Sequence, residues 1–457
     1  MNIKPGIFRE YDIRGVVGVD FDADFAHLLG RAYATKLLAA GIGKASIGRD
    51  CRLTSPSLAA ALKEGMLATG LDVVDVGMCP TPLLYFSVFH LEIAAGIMVT
   101  GSHNPPDHNG FKIMVGKTTI HGEEVQELRA LMEAGEFPDG EGVEETYPII
   151  PAYIGFCEEH FGRVAEGIKV IVDSGNGTAG PVAPEVFRNM GAEVIELYSE
   201  PDGTFPNHHP DPAVEENVAE LIAKVRETGA ALGIAFDGDS DRIGLIDDAS
   251  RIIWGDEMLV VFARDILARE PGISVVSEVK CSQRLYDDIE AHGGTGIMWK
   301  AGHSLLKAKM RETGAKLGGE MSGHIFFADR YYGFDDAIYA GARMLEIIAK
   351  SEQPLSEMLS DLPVTVFTPE IRVECADDIK FELAARATAR FRELGYDLID
   401  IDGVRVQFEK GWGLIRASNT QPVLVMRFEA SDEETLAEYR SIVEKELDAL
   451  RTELGVA

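Results

Sequence analysis

The chain has no apolar run long enough to cross a bilayer. Its first residues, Met1 to Gly15, lack the apolar stretch of a secretory signal. Positive charge is scarce: 43 Lys and Arg face 75 Asp and Glu, for a formal net charge of -32. Nucleic acids and anionic membranes reward a basic surface, so neither is expected as a partner. Paired cysteines are missing too. Cys51, Cys79, Cys157, Cys281 and Cys375 are scattered without a C-x-x-C pair, which excludes a zinc ribbon or a disulfide framework. A cytoplasmic protein in a reducing compartment is expected. The acidic balance also sets a condition. A phosphorylated ligand would be repelled by the overall field, so a phosphate site must gather Arg and Lys locally.

What the chain does have is length and glycine. Its 457 residues are too many for one core and suggest about three or four domains. The 47 glycines suggest tight turns and loops that bring backbone close to ligands. A strand–loop–helix–strand pattern recurs from Ala45 to Val76, from Lys169 to Leu197 and from Ser274 to Trp299. Such alternation predicts βαβ units and mostly parallel sheet. The last hundred or so residues differ. Val404–Phe408, Gly413–Arg416 and Val423–Phe428 read as strands joined by short turns, and Ser431–Leu450 as a closing helix. Ser431 with Glu434 fits a capping box. The expected architecture is α/β, with three related mixed domains (1–147, 148–250, 251–363) and a smaller α+β unit (364–457).

Four polar constellations interrupt this pattern. Thr100-Gly-Ser-His-Asn-Pro-Pro106 follows the apolar run Ala94 to Val99, so it sits at the carboxyl end of a strand, where open α/β sheets bind ligands. Ser102 is a candidate nucleophile with His103 and Lys112 close in sequence, since a serine hydroxyl needs a base or a cation to assist it. An ordinary β-turn fits the same residues. Asp237-Gly-Asp-Ser-Asp241-Arg242 lies between the strand-like runs Ala231–Phe236 and Ile243–Asp247. Three carboxylates at alternate positions repel one another unless a cation bridges them, and oxygen-only ligands select a hard ion such as Mg²⁺. An EF-hand fails because its sixth loop position would be Arg242. An exposed acidic turn is the bland alternative, less natural between two apolar strands.

Gly318-Gly-Glu-Met-Ser-Gly-His324 places Glu320, Ser322 and His324 on a Gly-rich loop suited to sugar hydroxyls. Arg416-Ala-Ser-Asn-Thr-Gln421 offers Arg416, Ser418, Asn419 and Thr420 as an anion cage. Both have a plain turn as the alternative. Gly175-Asn-Gly177-Thr-Ala-Gly180 matches the dinucleotide fingerprint and would imply an NAD-dependent dehydrogenase. That reading leaves the serine loop, the aspartates and the Arg416 loop unexplained.

In this order, TGSHNP, DGDSDR, GEMSGH and RASNTQP resemble the α-D-phosphohexomutase superfamily, in its phosphomannomutase/phosphoglucomutase branch. Phe8-Arg-Glu-Tyr-Asp-Ile-Arg14, Pro206-Asn-His-His-Pro-Asp211 and Lys300-Ala-Gly-His303 extend the resemblance over the whole chain. The resemblance implies four domains around a central cleft and the interconversion of hexose 1- and 6-phosphates of mannose or glucose. It implies a phosphoryl group on Ser102 and one Mg²⁺ on Asp237, Asp239, Asp241 and a phosphoserine oxygen. Arg14, His103, Lys112 and Arg242 would lie near the transferring group. His303, His324 and Lys280 would contact substrate or move protons, and Tyr11 would contact substrate. Glucose or mannose 1,6-bisphosphate would be the activator, sugar phosphates the partners, and the chain a monomer or weak oligomer. Met321 resembles the mannose/glucose branch, where the phosphoglucosamine branch has Gln. A phosphoglucosamine mutase and an aspartyl-phosphate phosphatase using Asp237 remain as alternatives.

Overall fold

A computed structural model describes residues 3–455. The chain builds four sheets in succession. The first has seven strands. Lys44–Arg49 lies inside it, parallel to both Asp72–Met78 and Ala95–Val99, and the parallel strand Glu144–Thr146 closes one side. On the other side His108–Val115 runs antiparallel and carries Ile13–Val16 at the edge. The second sheet orders Ile252–Ile253, Ile243–Asp247, Leu232–Phe236, Lys169–Asp173 and Glu193–Leu197. The third orders Thr295–Trp299, Ser274–Glu278, Leu317–Gly319 and Ile325–Phe327. The fourth is antiparallel throughout and centres on Val423–Ala430 and Gly411–Ala417.

Burial explains which segments became inner strands. Ala95–Val99, Leu232–Phe236 and Ile243–Asp247 are buried at every position. Helices cover both faces of such strands, so they read as continuous apolar runs without polar alternation. Each of these strands ends at, or begins from, one of the polar loops singled out above. The serine loop follows Ala95–Val99, and the aspartate loop joins Leu232–Phe236 to Ile243–Asp247.

One continuous apolar core runs through the first three sheet units, from Val74 to Leu355. The helix Ala337–Lys350 helps to fuse them, packing against the strand Ile243–Asp247 and the helices Ile149–Phe161 and Ala183–Asn189. The last unit has its own core, from Cys375 to Leu450. Its contacts with the rest include polar links: Arg405 donates to the carbonyls of Val279 at 2.9 Å and Cys281 at 2.8 Å, and Arg427 to that of Lys280.

The closing helix spans Glu433–Glu453. Its cap is Asp432, whose carboxylate accepts from the Thr435 amide at 2.8 Å. The expected Ser431–Glu434 box is therefore off by one residue. A carboxylate is a stronger acceptor at a helix N-terminus than a hydroxyl, and Ser431 instead donates to Asp432 at 2.8 Å.

Asp336 caps the fusing helix from inside the core. It accepts from the Tyr339 amide at 2.9 Å and from the hydroxyls of Tyr153 and Tyr331, each at 2.8 Å. Burial pushes its carboxyl up to about 6, and the hydrogen bonds only partly offset this. The folded state therefore binds this proton more tightly than the unfolded chain. The stabilisation is complete below about pH 4 and is lost as pH rises through about 6, amounting to about 3 kcal/mol. In thermal melts of Asp336→Asn beside the parent, the parent's Tm advantage should shrink as pH rises from about 4 to about 6.5. A difference in Tm that stays constant across this window would contradict the assignment.

Candidate active site

The serine loop is shaped from behind by Arg52, which is 1% exposed. Its guanidinium donates to the carbonyls of Ser102 at 2.7 Å, Asn104 at 2.5 Å, Pro105 at 2.5 Å and His108 at 3.0 Å. Asp50 pairs with Arg52 at 3.2 Å and accepts from the Thr100 hydroxyl at 2.9 Å and the Gly101 amide at 3.0 Å. This scaffold holds Ser102 at φ 49°, a left-handed conformation that non-glycine residues seldom adopt. The Ser102 hydroxyl is thereby turned onto the aspartate loop. It donates to Asp237 at 2.7 Å and lies 3.1 Å from His103 Nδ1. Burial, then the charges of Arg242, Arg14 and Lys112, hold His103 well below its ordinary pKa, so it is neutral at pH 7.

Asp237, Asp239 and Asp241 are fully buried, and each offers an oxygen within 4.8 Å of the others. Lys112 from the first sheet reaches across to them, 2.7 Å from Asp239 and also bonded to Asp241. Burial disfavours charge on Lys112, but Asp239 and Asp241 outweigh it and raise its pKa. Asp239 also accepts from the Thr81 hydroxyl at 2.5 Å. Burial and the neighbouring Asp239 and Asp241 hold Asp237 well above the usual carboxylate range. One oxygen each of Asp239 and Asp241 is buried without a hydrogen-bond partner among the described residues. Converging carboxylates with unpartnered oxygens and excess negative charge fit a hard divalent cation. Gly238 lets the two loops touch: a Cβ there would stand 2.5 Å from the Ser102 carbonyl oxygen.

The third sheet brings in Glu320, His303 and His324. His324 Nε2 accepts from Arg242 Nε at 3.1 Å. Arginine only donates, so a neutral His324 carries its proton on Nδ1, which lies 3.2 Å from Asp335 Oδ2. The same oxygen is 3.5 Å from His303 Nδ1, and Lys307 holds the other at 2.8 Å. The two imidazoles stack with centroids 5.3 Å apart. Burial, then Lys307, keep His303 well below its ordinary pKa. Glu320 is buried and accepts from the Gly302 amide at 2.8 Å. Ser322 is half-buried, with no hydrogen-bond partner for its hydroxyl among the described residues.

The Arg416 loop joins from the fourth sheet. Asp402 accepts from Arg416 at 2.9 Å and from the Ala301 amide at 3.0 Å, tying this loop to the segment before His303. Tyr11 completes the closure. Its hydroxyl donates to the Ala301 carbonyl at 3.2 Å and accepts from Asn419 at 2.8 Å. The Ser418 hydroxyl accepts from the amides of Thr420 at 3.3 Å and Gln421 at 3.1 Å, which curls the loop. Lys280 is held by Glu370 at 2.7 Å and lies 3.3 Å from Glu278. Burial pushes Glu278 up to about 7. Arg14 donates to Asp12 at 2.6 Å and to Asn104 of the serine loop at 3.0 Å.

All four sheets thus contribute to one constellation. Sequence reasoning missed its supports: Arg52, Asp50, Thr81, Asp335, Lys307 and Asp402. The Asp50-Cys-Arg52 segment was visible after its strand, but a carbonyl-gripping arginine leaves no local signature. The fingerprint-like Gly175–Gly180 segment is explained by packing. A Cβ on Gly177 would come 2.8 Å from the Gly238 carbonyl oxygen, and the Thr178 amide donates to that same oxygen at 3.1 Å. Gly177 thus accommodates the aspartate loop, while a Cβ on Gly175 would meet Pro210 and one on Gly180 the Ser199 carbonyl.

Family models described as phosphoglucomutase/phosphomannomutase, alpha/beta/alpha domains I, II and III, match residues 5–139, 153–250 and 254–366. The model of the C-terminal domain matches residues 370–446. The chain therefore belongs to the phosphoglucomutase/phosphomannomutase family of the α-D-phosphohexomutase superfamily. It is 47% identical over 455 residues to the phosphomannomutase/phosphoglucomutase of Pseudomonas aeruginosa, covering 99% of this chain and 98% of that protein. It is 45% identical over 436 residues to the phosphoglucomutase of Neisseria gonorrhoeae, covering 94% of each. A crystal structure of a phosphoglucomutase/phosphomannomutase family protein from Burkholderia thailandensis superposes with a TM-score of 0.92 at 43% identity, over 98% of each chain.

Arg52 offers a direct test of the loop geometry. Lysine cannot grip four carbonyls as a planar guanidinium does. If Ser102 reacts, Arg52→Lys should lower turnover about 100-fold while changing the substrate KM little, because the Ser102 hydroxyl is displaced by a fraction of an ångström. Turnover within about twofold of the parent would show that the loop holds itself.

Proposed function

We propose that this chain is a phosphohexomutase that interconverts hexose 1-phosphate and hexose 6-phosphate, with mannose and glucose as its sugars. A phosphate carried on Ser102 and a 1,6-bisphosphate intermediate link the two, and glucose or mannose 1,6-bisphosphate primes the serine. The observation that carries the reading is the 2.7 Å hydrogen bond from Ser102 to a buried loop of three aspartates. The names of relatives that match nearly the whole chain support it. We retain four working units at 1–147, 148–250, 251–363 and 364–457, and a monomer or weak oligomer.

Asp237, Asp239 and Asp241, with an oxygen of phospho-Ser102, would hold Mg²⁺, which when bound neutralises charge on the phosphoryl group. The chain's own cations, Lys112, Arg14 and Arg242, add fixed positive charge around the same point. Transfer breaks the Ser102 O–P bond as the free hydroxyl of a hexose monophosphate forms a new O–P bond. The sugar's hydroxyl proton leaves to a base, drawn from His303 and, once its Nε2 is released from Arg242, His324. Asp335 stands behind both imidazoles, so a proton gained there meets a carboxylate. The bisphosphate then turns end for end and its other phosphate returns to Ser102. The serine oxygen takes up a proton when its phosphate departs and gives it up when the phosphate returns, both through His103, whose Nδ1 is 3.1 Å away, and the departing sugar oxygen takes back the proton held by the imidazole base. Arg416, Ser418, Asn419 and Thr420 would hold the idle phosphate, while Glu320 and Ser322 read vicinal hydroxyls and Tyr11 and Lys280 border the sugar. The separate core of the last unit suits a closing movement that retains the intermediate.

After incubation with glucose 1,6-bisphosphate, peptide mass analysis should find phosphate on Ser102, stable to hydroxylamine. Ser102→Ala should lose turnover by a factor on the order of 10³ or more. Full activity in that variant, or a hydroxylamine-labile phosphate on Asp237, would reject the reading. Chelation should abolish turnover, and added Mg²⁺ should restore it. Parallel assays on mannose, glucose and glucosamine 1-phosphates should favour the first two. A preference for glucosamine 1-phosphate would move the chain to the phosphoglucosamine branch.

A further inference from the structure

Behind the imidazole pair, a cavity of about 270 Å³ lies where the turn at Lys117 meets the helix His303–Thr313 and the segment around Tyr332. Its lining reverses the composition of the chain. Lys117, Lys307, Arg311 and Lys316 face it, and no carboxylate does, although acids outnumber bases 75 to 43 overall. Among the described residues Lys117 and Arg311 make no ion pair, although Glu124 lies near enough to Arg311 to favour its charge. Lys316 reaches Glu270 at 3.7 Å.

The remaining surface is aromatic. Phe89 and Tyr332 stack with centroids 4.6 Å apart, and Phe334 lines the same wall. Tyr332 is 41% exposed at the rim. Lys117 Nζ stands 5.0 Å from the Phe89 ring centroid, so cation and ring face are presented together. Tyr85 lines the cavity too, fully buried, with Lys307 Nζ 4.8 Å from its ring centroid.

We propose that this cavity binds a planar aromatic anion no larger than a nucleoside monophosphate, and that its occupancy bears on turnover. Cations answer the anion, ring faces answer the plane, and the volume lies near the small end of ligand pockets. Lys307 joins the cavity to the reaction centre. It lines the cavity while its ammonium holds Asp335, the carboxylate behind His303 and His324. An anion in the cavity competes with Asp335 for Lys307 and loosens the imidazole pair. Thr119 gives a second link, since it lines the cavity and its hydroxyl is 2.9 Å from that of Ser304, beside His303.

Equilibrium dialysis of the full chain with adenosine 5′-monophosphate and uridine 5′-monophosphate tests the site, with inorganic phosphate as the ring-free control. At least one nucleotide should bind saturably at millimolar concentration or below. The double variant K117Q/R311Q should weaken it roughly tenfold or more. Both residues are exposed, so the variant should keep its fold and its turnover without nucleotide. Arg416→Ala should leave nucleotide binding unchanged, and inorganic phosphate should not displace it. At saturation, turnover of hexose phosphate should fall severalfold with KM unchanged. Failure of both nucleotides to bind overturns the proposal, as does binding indifferent to K117Q/R311Q. Loss of binding in Arg416→Ala, or displacement by phosphate, would assign the nucleotide to the Arg416 loop and overturns it too. Unchanged turnover at saturation overturns the Lys307 link. Only the turnover arm rests on the mutase reading; the binding arm stands or fails without it.

Discussion

Three carboxylates on one tight loop repel one another, and burial makes each charge harder to keep. The structure meets this cost with Lys112, with hydrogen bonds from Thr81 and Ser102, and with a raised pKa at Asp237. Among the described residues one oxygen of Asp239 and one of Asp241 still lack partners. The loop is therefore built around a charge that the side chains do not fully supply. Other features follow from that demand. Ser240 on the aspartate loop and Ser102 on the serine loop both adopt positive φ, at 63° and 49°. Such strain persists only where the surroundings over-determine it, and here Arg52 and Asp50 do so from one side while the glycines 177 and 238 admit close approach from the other.

The same demand orders the domains. Lys112 is on the first sheet and its acid partners are on the loop of the second, so the two units cannot separate without leaving buried charge unpaired. Arg242 couples the second unit to His324 of the third. A shared apolar core runs beneath these polar links. The last unit is different in kind. Its core is its own, and it meets the site through Asp402, Arg416 and Asn419, and the third unit through arginines that grip backbone carbonyls. Polar contacts of this sort can break and reform against water more cheaply than an apolar core can open. A small apolar cluster of Val279, Trp412 and Leu414 also spans this junction, so the Arg416 loop sits on the unit with the least apolar attachment to the rest.

Much of this was legible in the sequence, and the reason is local. A strand buried on both faces is an unbroken apolar run, so the strands ending at Val99, Phe236 and Asp247 were visible, and so were the polar loops attached to them. The architecture of four α/β and α+β units followed from the same alternation. What stayed hidden depends on distance in space. Arg52 acts on a loop fifty residues away in the chain, as its bond to Ser102 shows. Asp335 matters by touching three side chains, two from one helix and one from a loop. Asp432 displaced Ser431 as a cap because two good capping residues stood side by side, and pattern alone does not rank them. The fingerprint glycines misdirect for a related reason. Close approach of backbone is what they provide, and a sequence does not say whether a dinucleotide or another loop approaches.

An acidic chain that handles anions is less paradoxical than its net charge suggests. At physiological ionic strength the field of a surface charge fades over about 8 Å. Most of the surplus carboxylates are exposed, and their field is screened before it reaches an interior site. Buried groups escape this screening, and there the balance is local. Around Ser102 the buried and half-buried cations Lys112, Arg14 and Arg242 face three aspartates, and a divalent cation would turn the sum positive. The overall charge then governs solubility and encounter, while the reacting phosphate responds to a handful of side chains within a few ångströms. Acids that call for a cation thereby make room for an anion beside it.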